Sequence, residues 1–198
     1  MPQLALEGDR FTYGDYRRWP DDERWELIDG RAYDMCPAPT RNHQQMVLEI
    51  AAQAHAFLRG GPCEVNVAPF DVRLPKTDEA DDRVDTVVQP DIAVICDPQK
   101  LDDAGCRGAP DWVVEVLSPR TAAKDQREKR DAYERAGVRE YWLVHPTDRT
   151  LMIYRLTEGA YGRPEVQPLV GETAVSAIAG LGIAWPSATT EVDGPVGP

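Results

Sequence analysis

The sequence lacks any apolar run that approaches the roughly 18 residues needed to cross a bilayer, so we expect no membrane-spanning segment. Its first residues, Met1 to Asp9, are acidic and lack the basic-then-apolar order of a secretory signal peptide. The cytoplasm is therefore the expected compartment. The length of 198 residues predicts a single domain over residues 1–186.

Cysteine is scarce and scattered. The four cysteines stand at positions 36, 63, 96 and 106, and no two of them form a C-x-x-C pair. A disulfide scaffold is not expected in a chain of this length, and the spacing does not predict a zinc site. We expect buried or idle thiols.

Positive charge is scarce relative to negative charge, which gives a net charge of −12. Taken whole, that charge argues against a protein that coats nucleic acid by neutralising phosphates. The charge is uneven, however, since residues 118–140 hold seven basic and five acidic side chains. An exposed helix face with salt bridges explains this patch better than a DNA-binding groove does.

The pattern of apolar residues, turn residues and helix caps predicts a series of short elements. In chain order these are a hairpin at 25–35 turning at Asp29-Gly30, a helix at 43–58 capped by Asn42, strands at 63–74, an apolar run at 87–95, a loop at 97–108, a second apolar run at 112–117, a helix at 120–136, strands at 140–145 and 150–156, short apolar pieces at 166–170 and 178–185, and a disordered tail at 187–198. A strand, a helix and a strand in succession predict a crossover. We therefore predict an α/β fold, a mixed sheet with helices on its faces.

Each of the two apolar runs carries one carboxylate, Asp91 in the first and Glu115 in the second. A buried strand should hold none, because a bare carboxylate there costs several kcal/mol unless it is paired or binds a cation. Alternate strand residues share a face, so Glu115 lies between Val113 and Leu117. Either desolvation raises the pKa of Glu115, or a cation holds it ionised. The two acids are thus structural, with partners not evident in the sequence, or they hold a metal.

The helix that follows carries two charged residues on its small, apolar side. Ala122, Asp125, Lys129, Ala132, Tyr133 and Ala136 share this stripe at helical spacing. Asp125 and Lys129 are four residues apart in the favourable order for a helix salt bridge. Alternatively, Lys129 extends across the sheet toward Glu115, because a buried lysine needs a carboxylate or a phosphate to stay charged.

Two carboxylates on adjacent strands with a lysine beside them are typical of a site for Mg²⁺ or Mn²⁺. These hard cations take oxygen ligands and leave positions open for water and phosphate. Such a metal would activate water and neutralise charge on a phosphodiester, while the lysine would orient the water or stabilise the transition state.

Several segments together resemble the Uma2 family, also called DUF820. They are Gln89-Pro-Asp, Ala109-Pro-Asp-Trp-Val-Val-Glu-Val-Leu-Ser-Pro, the helix from Asp125 through Lys129 to Tyr133, Ala136-Gly-Val-Arg-Glu-Tyr-Trp-Leu-Val, Trp25-Glu-Leu-Ile-Asp-Gly and His43-Gln44. The resemblance covers most of residues 12–156. The family is placed among the PD-(D/E)XK restriction-endonuclease-like nucleases. It implies a core of a helix, three strands, a helix and a strand, with an N-terminal hairpin and extra C-terminal strands here, and a divalent metal on Asp91 and Glu115.

The sequence departs from the superfamily pattern at one position. The residue two after the second acid should be lysine, but it is Leu117, and Lys129 on the next helix is the substitute. The expected catalytic residues are therefore Asp91, Glu115 and Lys129. The candidate supporting residues are Glu26, His43, Asp125 and Glu49.

Three functions are consistent with these residues. The first is a Mg²⁺-dependent endonuclease that acts on nucleic acid, with DNA favoured as the partner. The second is a binding module on the same scaffold that has lost catalysis, and the third is a metal-free hydrolase that uses Asp91 and Glu115 as an acid and base pair. A two-fold homodimer is the expected assembly, because it is the commonest one among oligomers.

Overall fold

The computed structural model describes residues 9–20, 22–35, 39–118 and 125–185. Cys36, the predicted helix start at Arg120 and the predicted disordered tail at 187–198 lie outside these ranges. Among the described helices, none is both long enough and apolar enough to cross a membrane.

The described helices are few. They are α1 Tyr13–Tyr16, α2 Arg41–Leu58, two 3₁₀ turns at Asp81–Arg83 and Pro98–Lys100, a π-helical turn Asp125–Lys129 and α3 Arg130–Ala136, which continues directly from the π-helical turn. Helix α2 begins two residues earlier than predicted. Its N-cap is Thr40, whose hydroxyl accepts a hydrogen bond from the backbone N–H of His43, so the prediction of Asn42 as the cap was wrong. Gly137 ends α3 in the left-handed conformation, as its position predicted.

Fifteen short strands are described. In chain order they are β1 Trp25–Ile28, β2 Arg31–Asp34, β3 Glu64–Val67, β4 Val72–Arg73, β5 Val87–Val88, β6 Ile92–Ile95, β7 Leu101–Asp102, β8 Gly105–Arg107, β9 Trp112–Val116, β10 Glu140–His145, β11 Thr150–Thr157, β12 Ala160–Tyr161, β13 Glu165–Pro168, β14 Glu172–Ala174 and β15 Gly182–Ala184.

The larger sheet has the order β12-β11-β10-β9-β6-β3, with β13 also paired to β11. Strands β9 and β10 are parallel, whereas β3, β6 and β9 pair antiparallel in succession. A parallel pair needs a crossover, and the π-helical turn and α3 lie in the connection between β9 and β10. Helix α2, then β3, β6 and β9, then α3 and β10 give the predicted order of a helix, three strands, a helix and a strand. The mixed α/β fold is thus as predicted.

The second sheet has the order β2-β1-β5-β4-β8-β7 and contains the predicted hairpin. Asp29 and Gly30 both have positive φ, 50° and 75°, as the two-residue turn requires. Two predictions were wrong here. The apolar run at 87–95 divides into β5 and β6, which belong to different sheets, and the expected loop at 97–108 contains the β7–β8 hairpin.

Strand β9 separates two apolar cores. Trp112, Val114 and Val116 pack in a cluster with the buried face of α2, whereas Val113 and Leu117 pack in a second cluster with residues of α3 and the smaller sheet. The alternation of faces along β9 is therefore as predicted. It places the side chain of Glu115 on the α3 side of the sheet.

Cys63 and Cys96 form a disulfide, so the expectation of idle thiols was wrong for this pair. The two cysteines extend the antiparallel register of β3 and β6, in which Glu64 stands opposite Ile95, and their Cα atoms are 3.8 Å apart. Spacing along the chain could not reveal this pairing of strands. Cys106 is a buried free thiol, as expected.

Candidate functional site

The ammonium group of Lys129 lies at the centre of a buried carboxylate cluster. Lys129 is 1% exposed, and its Nζ contacts Oε1 of Glu115 and lies 2.9 Å from Oε1 of Glu26. Oδ1 of Asp125 is more distant, at 3.9 Å. Both contacts considered for Lys129 are thus present, and the contact across to Glu115 is the shorter one.

Three parts of the chain converge on this cluster. Glu115 comes from the centre of β9 in the larger sheet, and Glu26 comes from β1 in the smaller sheet. Asp125 and Lys129 begin and end the π-helical turn, and both are buried. The stripe of small residues that continues into α3 lets this helix pack against the sheet, which brings a charged side chain from the turn over Glu115.

Hydrogen bonds hold the carboxylates of Glu115 and Glu26 and the backbone of Asp125 in place. The Tyr133 hydroxyl donates to Oε1 of Glu115 at 2.8 Å, and the backbone N–H of Gln89 donates to Oε1 of Glu26 at 2.8 Å. The Tyr141 hydroxyl donates to the backbone carbonyl of Asp125 at 3.0 Å. These bonds satisfy groups that would otherwise be costly to bury.

Sequence reasoning assigned no role to Tyr133 or Gln89. The position of Tyr133, four residues after Lys129 on the same stripe, was a usable signal. Gln89 gave no such signal, because its bond to Glu26 depends on the pairing of β1 with β5.

Burial and charge act in opposite directions on the pKa values of the cluster. Burial alone would lower the pKa of Lys129, but Glu115, Glu26 and Asp125 outweigh it and raise that pKa well above its usual value. Burial raises the pKa of Glu115, and the carboxylates around it add to the effect while Lys129 opposes it. One ammonium therefore faces three carboxylates, an arrangement that favours a further proton or cation.

Asp91 lies beside this cluster, in the residue before β6 rather than within the strand as expected. Its side chain is 18% exposed, and Oδ2 accepts a hydrogen bond of 2.8 Å from the backbone N–H of Val116, the neighbour of Glu115. Oδ2 also lies 3.1 Å from Nε2 of His43. The charge of Asp91 contributes to the raised pKa of Glu115, which shows that the two acids are electrostatically coupled.

His43 is buried at the start of α2 and faces Asp91. Burial alone would lower the pKa of His43, but the hydrogen bond and the charge of Asp91 outweigh it and raise that pKa. Its other ring nitrogen, Nδ1, is buried and has no hydrogen-bond partner among the described residues. His43 and the backbone N–H of Val116 thus both contact Oδ2 of Asp91 and hold its carboxylate in place.

The structure does not bring every candidate residue to the cluster. Glu49 lies on the exposed side of α2, where its carboxylate accepts a hydrogen bond from Gln53. The prediction that Glu49 supports the site was therefore wrong, because its helix position faces solvent. Leu117, which replaces the superfamily lysine, is buried in the apolar cluster on the α3 side.

The donor chemistry of the site fits a hard divalent cation. Asp91 and Glu115 offer carboxylate oxygens, and Mg²⁺ is commonly bound by one or two carboxylates together with water and phosphate. Within residues 9–20, 22–35, 39–118 and 125–185, no group of three or more His, Cys, Asp or Glu side chains is arranged to hold a metal. A cation here would thus take its remaining ligands from solvent and substrate.

The mixed sheet, with a helix, three strands, a helix and a strand at its core, has the fold of a restriction-endonuclease-like protein. The chain belongs to the Uma2 family, whose sequence model, described as "Putative restriction endonuclease", matches residues 13–186.

Two similar proteins support the assignment of the fold and family. A crystal structure of a DUF820 protein from Anabaena variabilis, described as a putative nuclease, superimposes with a TM-score of 0.66 at 18% identity and covers 83% of this chain and 89% of its own. The uncharacterized protein slr1290 of Synechocystis sp. is 28% identical over 157 residues, which are 78% of this chain and 75% of that protein.

Proposed function

We propose that the protein is a metal-dependent endonuclease that hydrolyses phosphodiester bonds of nucleic acid, with DNA as its substrate and the cytoplasm as its compartment. The contact of Lys129 with Glu115, beside Asp91, carries this proposal. It joins Glu115, one of the two acids that the resemblance to nucleases implies, to Lys129, which substitutes for the lysine absent at Leu117, and Asp91 lies beside them.

Asp91 and Glu115 would hold Mg²⁺ or Mn²⁺, which when bound supplies charge neutralisation and an acidified water. Val116 and His43 orient the carboxylate of Asp91, and Tyr133 orients that of Glu115. These bonds fix the acids before substrate arrives, so little reorganisation is needed on binding.

Lys129 would supply a fixed positive charge beside the scissile phosphate. Glu26 and Asp125 keep its ammonium charged within the protein, as the raised pKa of Lys129 indicates. A protonated lysine in a site with little water stabilises negative charge that develops on phosphate oxygens. The same contact supports an enzyme over the binding module that has lost catalysis, because the proposed catalysis requires Lys129 to point at the acids.

Titration of Mn²⁺ into the purified protein by calorimetry, followed by a DNA cleavage assay, tests the proposal. We expect wild type to bind Mn²⁺ and cleave, and Asp91→Ala and Glu115→Ala to lose both while remaining folded by circular dichroism. Asp148→Ala removes a carboxylate that is 70% exposed and serves as the control, with cleavage at the wild-type rate.

Two outcomes would contradict the proposal. If either acid variant cut DNA in Mn²⁺ as wild type does, these residues would not be the active site. Cleavage that persisted in EDTA would instead support the metal-free carboxylate pair.

A further inference from the structure

A cavity of about 570 Å³ lies next to the proposed active site, between α1, the segment before β1 and the loops before β4 and after β7. Its aromatic and cationic lining residues are Tyr16, Trp19, Trp25, Phe70, Arg17 and Arg24. Its size is within the range of small-molecule binding sites.

The walls of the cavity offer aromatic faces to a ligand. Trp19 packs against both Tyr16 and Trp25 with ring centroids 5.6 Å apart, so the aromatic side chains support one another. The indole N–H of Trp25 donates to Glu23 at 2.9 Å, which fixes the orientation of its ring. Fixed aromatic rings of this kind are suited to stacking against a planar group.

Charge in the cavity disfavours an anion. Four carboxylates line the cavity, and they belong to Glu23, Asp71, Asp102 and Asp103. The lining has two guanidinium groups, those of Arg17 and Arg24. A phosphate placed among these side chains would be repelled. The cavity therefore fits an uncharged or cationic group with hydrogen-bond donors, and its aromatic walls favour a planar one.

Arg24 borders the cavity and contacts Gln89. Its Nη2 donates to Oε1 of Gln89 at 2.9 Å, whereas its Nε is buried and has no hydrogen-bond partner among the described residues. Because Nε has almost no surface open to the cavity, Arg24 contributes to the wall through its positive charge and its contact with Gln89.

Gln89 connects the cavity to the proposed active site. Its side-chain amide donates to the Tyr16 hydroxyl at 3.1 Å and to Asp71 at 2.9 Å, while its backbone N–H donates to Glu26 in the Lys129 cluster. Gln89 is also two residues before Asp91, a span of at most about 7 Å along the backbone. A ligand in the cavity therefore lies within a short distance of the residues that would hold the metal.

We propose that this cavity binds one unstacked nucleobase of the same strand whose phosphodiester lies at Asp91 and Glu115. The proposal rests on the proposed function, since it assigns part of the substrate. Unstacked bases are recognised by stacking on aromatic side chains and by hydrogen bonds to their edges. The exocyclic amine of a base is a hydrogen-bond donor for the carboxylates that line the cavity.

The test measures the binding of a short fluorescent single-stranded DNA by anisotropy, in Ca²⁺, with the strand confirmed intact afterwards. One abasic position is moved along the strand. We expect one position at which the missing base weakens wild-type binding roughly 5- to 150-fold, the loss expected for one stacked base. Trp25→Ala should bind the intact strand as weakly as wild type binds that abasic strand, and should no longer distinguish the two.

Two further variants guard against a folding effect. Arg24→Lys keeps the positive charge but removes the planar guanidinium that contacts Gln89, and it should reduce the preference for the intact strand. Phe57→Ala removes an aromatic residue that is 51% exposed and lines a different cavity, so it should keep the full preference. A preference lost equally in Phe57→Ala would overturn the assignment to this cavity.

Other outcomes would also overturn the proposal. One is that wild type binds intact and abasic strands equally at every position. Another is that Trp25→Ala still binds the intact strand more tightly than the abasic one. Binding of a free mononucleotide as tight as that of the strand would make the cavity a nucleotide site independent of the substrate. Because binding is measured without cleavage, the result can be read even if the nuclease assay fails. If wild type cleaves DNA but binds intact and abasic strands equally, the base-binding role of the cavity is refuted and the proposed function is not.

Discussion

Lys129 and Glu115 form an ion pair in the interior of the protein, where the two residues are 1% and 4% exposed. Taking both charges out of water is costly, so such a pair adds little to stability by itself. Removing one partner, however, leaves an uncompensated buried charge. The pair therefore makes the folded state depend on a cation at this position.

Replacing Lys129 with methionine, which is similar in length but uncharged, should lower the free energy of unfolding by about 3–5 kcal/mol, because Glu115 and Glu26 lose their shared cation. Urea unfolding measures this loss. If the site binds metal, Mn²⁺ should restore more stability to the variant than it adds to wild type. Lys76→Met, at a residue 42% exposed, is the control and should cost about 0–1 kcal/mol. A loss that small for Lys129→Met would contradict the pairing.

Lys129→Ala separates a catalytic from a purely structural lysine. We expect the cleavage rate to fall more than the affinity for Mn²⁺, because the lysine acts on the substrate while Asp91 and Glu115 hold the metal. Single-turnover cleavage and metal titration give the two quantities. Equal loss of both would indicate that Lys129 serves only as the structural partner of Asp125.

Tyr133→Phe removes one hydroxyl and leaves the packing unchanged. The variant should lose about 1.5–3 kcal/mol of stability, the range for a hydrogen bond to a charged group, because Glu115 loses the bond of 2.8 Å. Its cleavage rate should also fall. Tyr161→Phe is the matched control, since it loses a buried bond of 2.7 Å to the carbonyl of Val138, away from the cluster. That variant should lose stability but keep the wild-type rate, and an equal fall in rate would rule out a positioning role for Tyr133.

The principal acids and the lysine could be predicted because their signals are local. Glu115 is a carboxylate in an apolar strand, and Lys129 is a charge on the buried stripe of a helix. Each charge interrupts the apolar pattern of its own strand or helix, so it can be noticed without knowledge of the rest of the fold.

Glu26 was a candidate supporting residue, but neither its contact with Lys129 nor the role of Gln89 could be predicted, because both depend on which strands pair. Glu26 meets Lys129 only because β1 pairs with β5 in the smaller sheet, which also brings Gln89 within reach. Likewise, the division of residues 87–95 between two sheets moves Asp91 out of a strand and into a connection. Such contacts between distant parts of the chain leave no periodic trace in the sequence.

The disulfide gives a prediction that is independent of catalysis. Cys63 and Cys96 close a loop of 33 residues between β3 and β6, and the loss of such a crosslink costs about 4 kcal/mol in the chain-entropy account. Reduction with dithiothreitol and the variant Cys63→Ser should each lower the free energy of unfolding by this amount. Reductant should have no further effect on Cys63→Ser. The contrary outcome is measured by alkylating the unfolded wild type without reduction. If mass spectrometry then finds both Cys63 and Cys96 alkylated, the bond is absent.

Asp102 gives a prediction for acid pH. The hydrogen bond from Arg73, whose guanidinium is buried, is the main cause that lowers the pKa of Asp102 below its usual value of 3.8. A lowered pKa in the folded state stabilises the protein at pH values above 3.8, and this stabilisation is lost as the pH falls through the lower, folded value. Asp102→Asn should therefore be less stable than wild type at neutral pH, and the difference should shrink as the pH falls below about 4. Denaturant unfolding across this range measures it, with the exposed neighbour Asp103→Asn as control. A difference that stayed constant down to the acid end would show that the charge of Asp102 contributes nothing and that Arg73 depends on its other partner, Asp81.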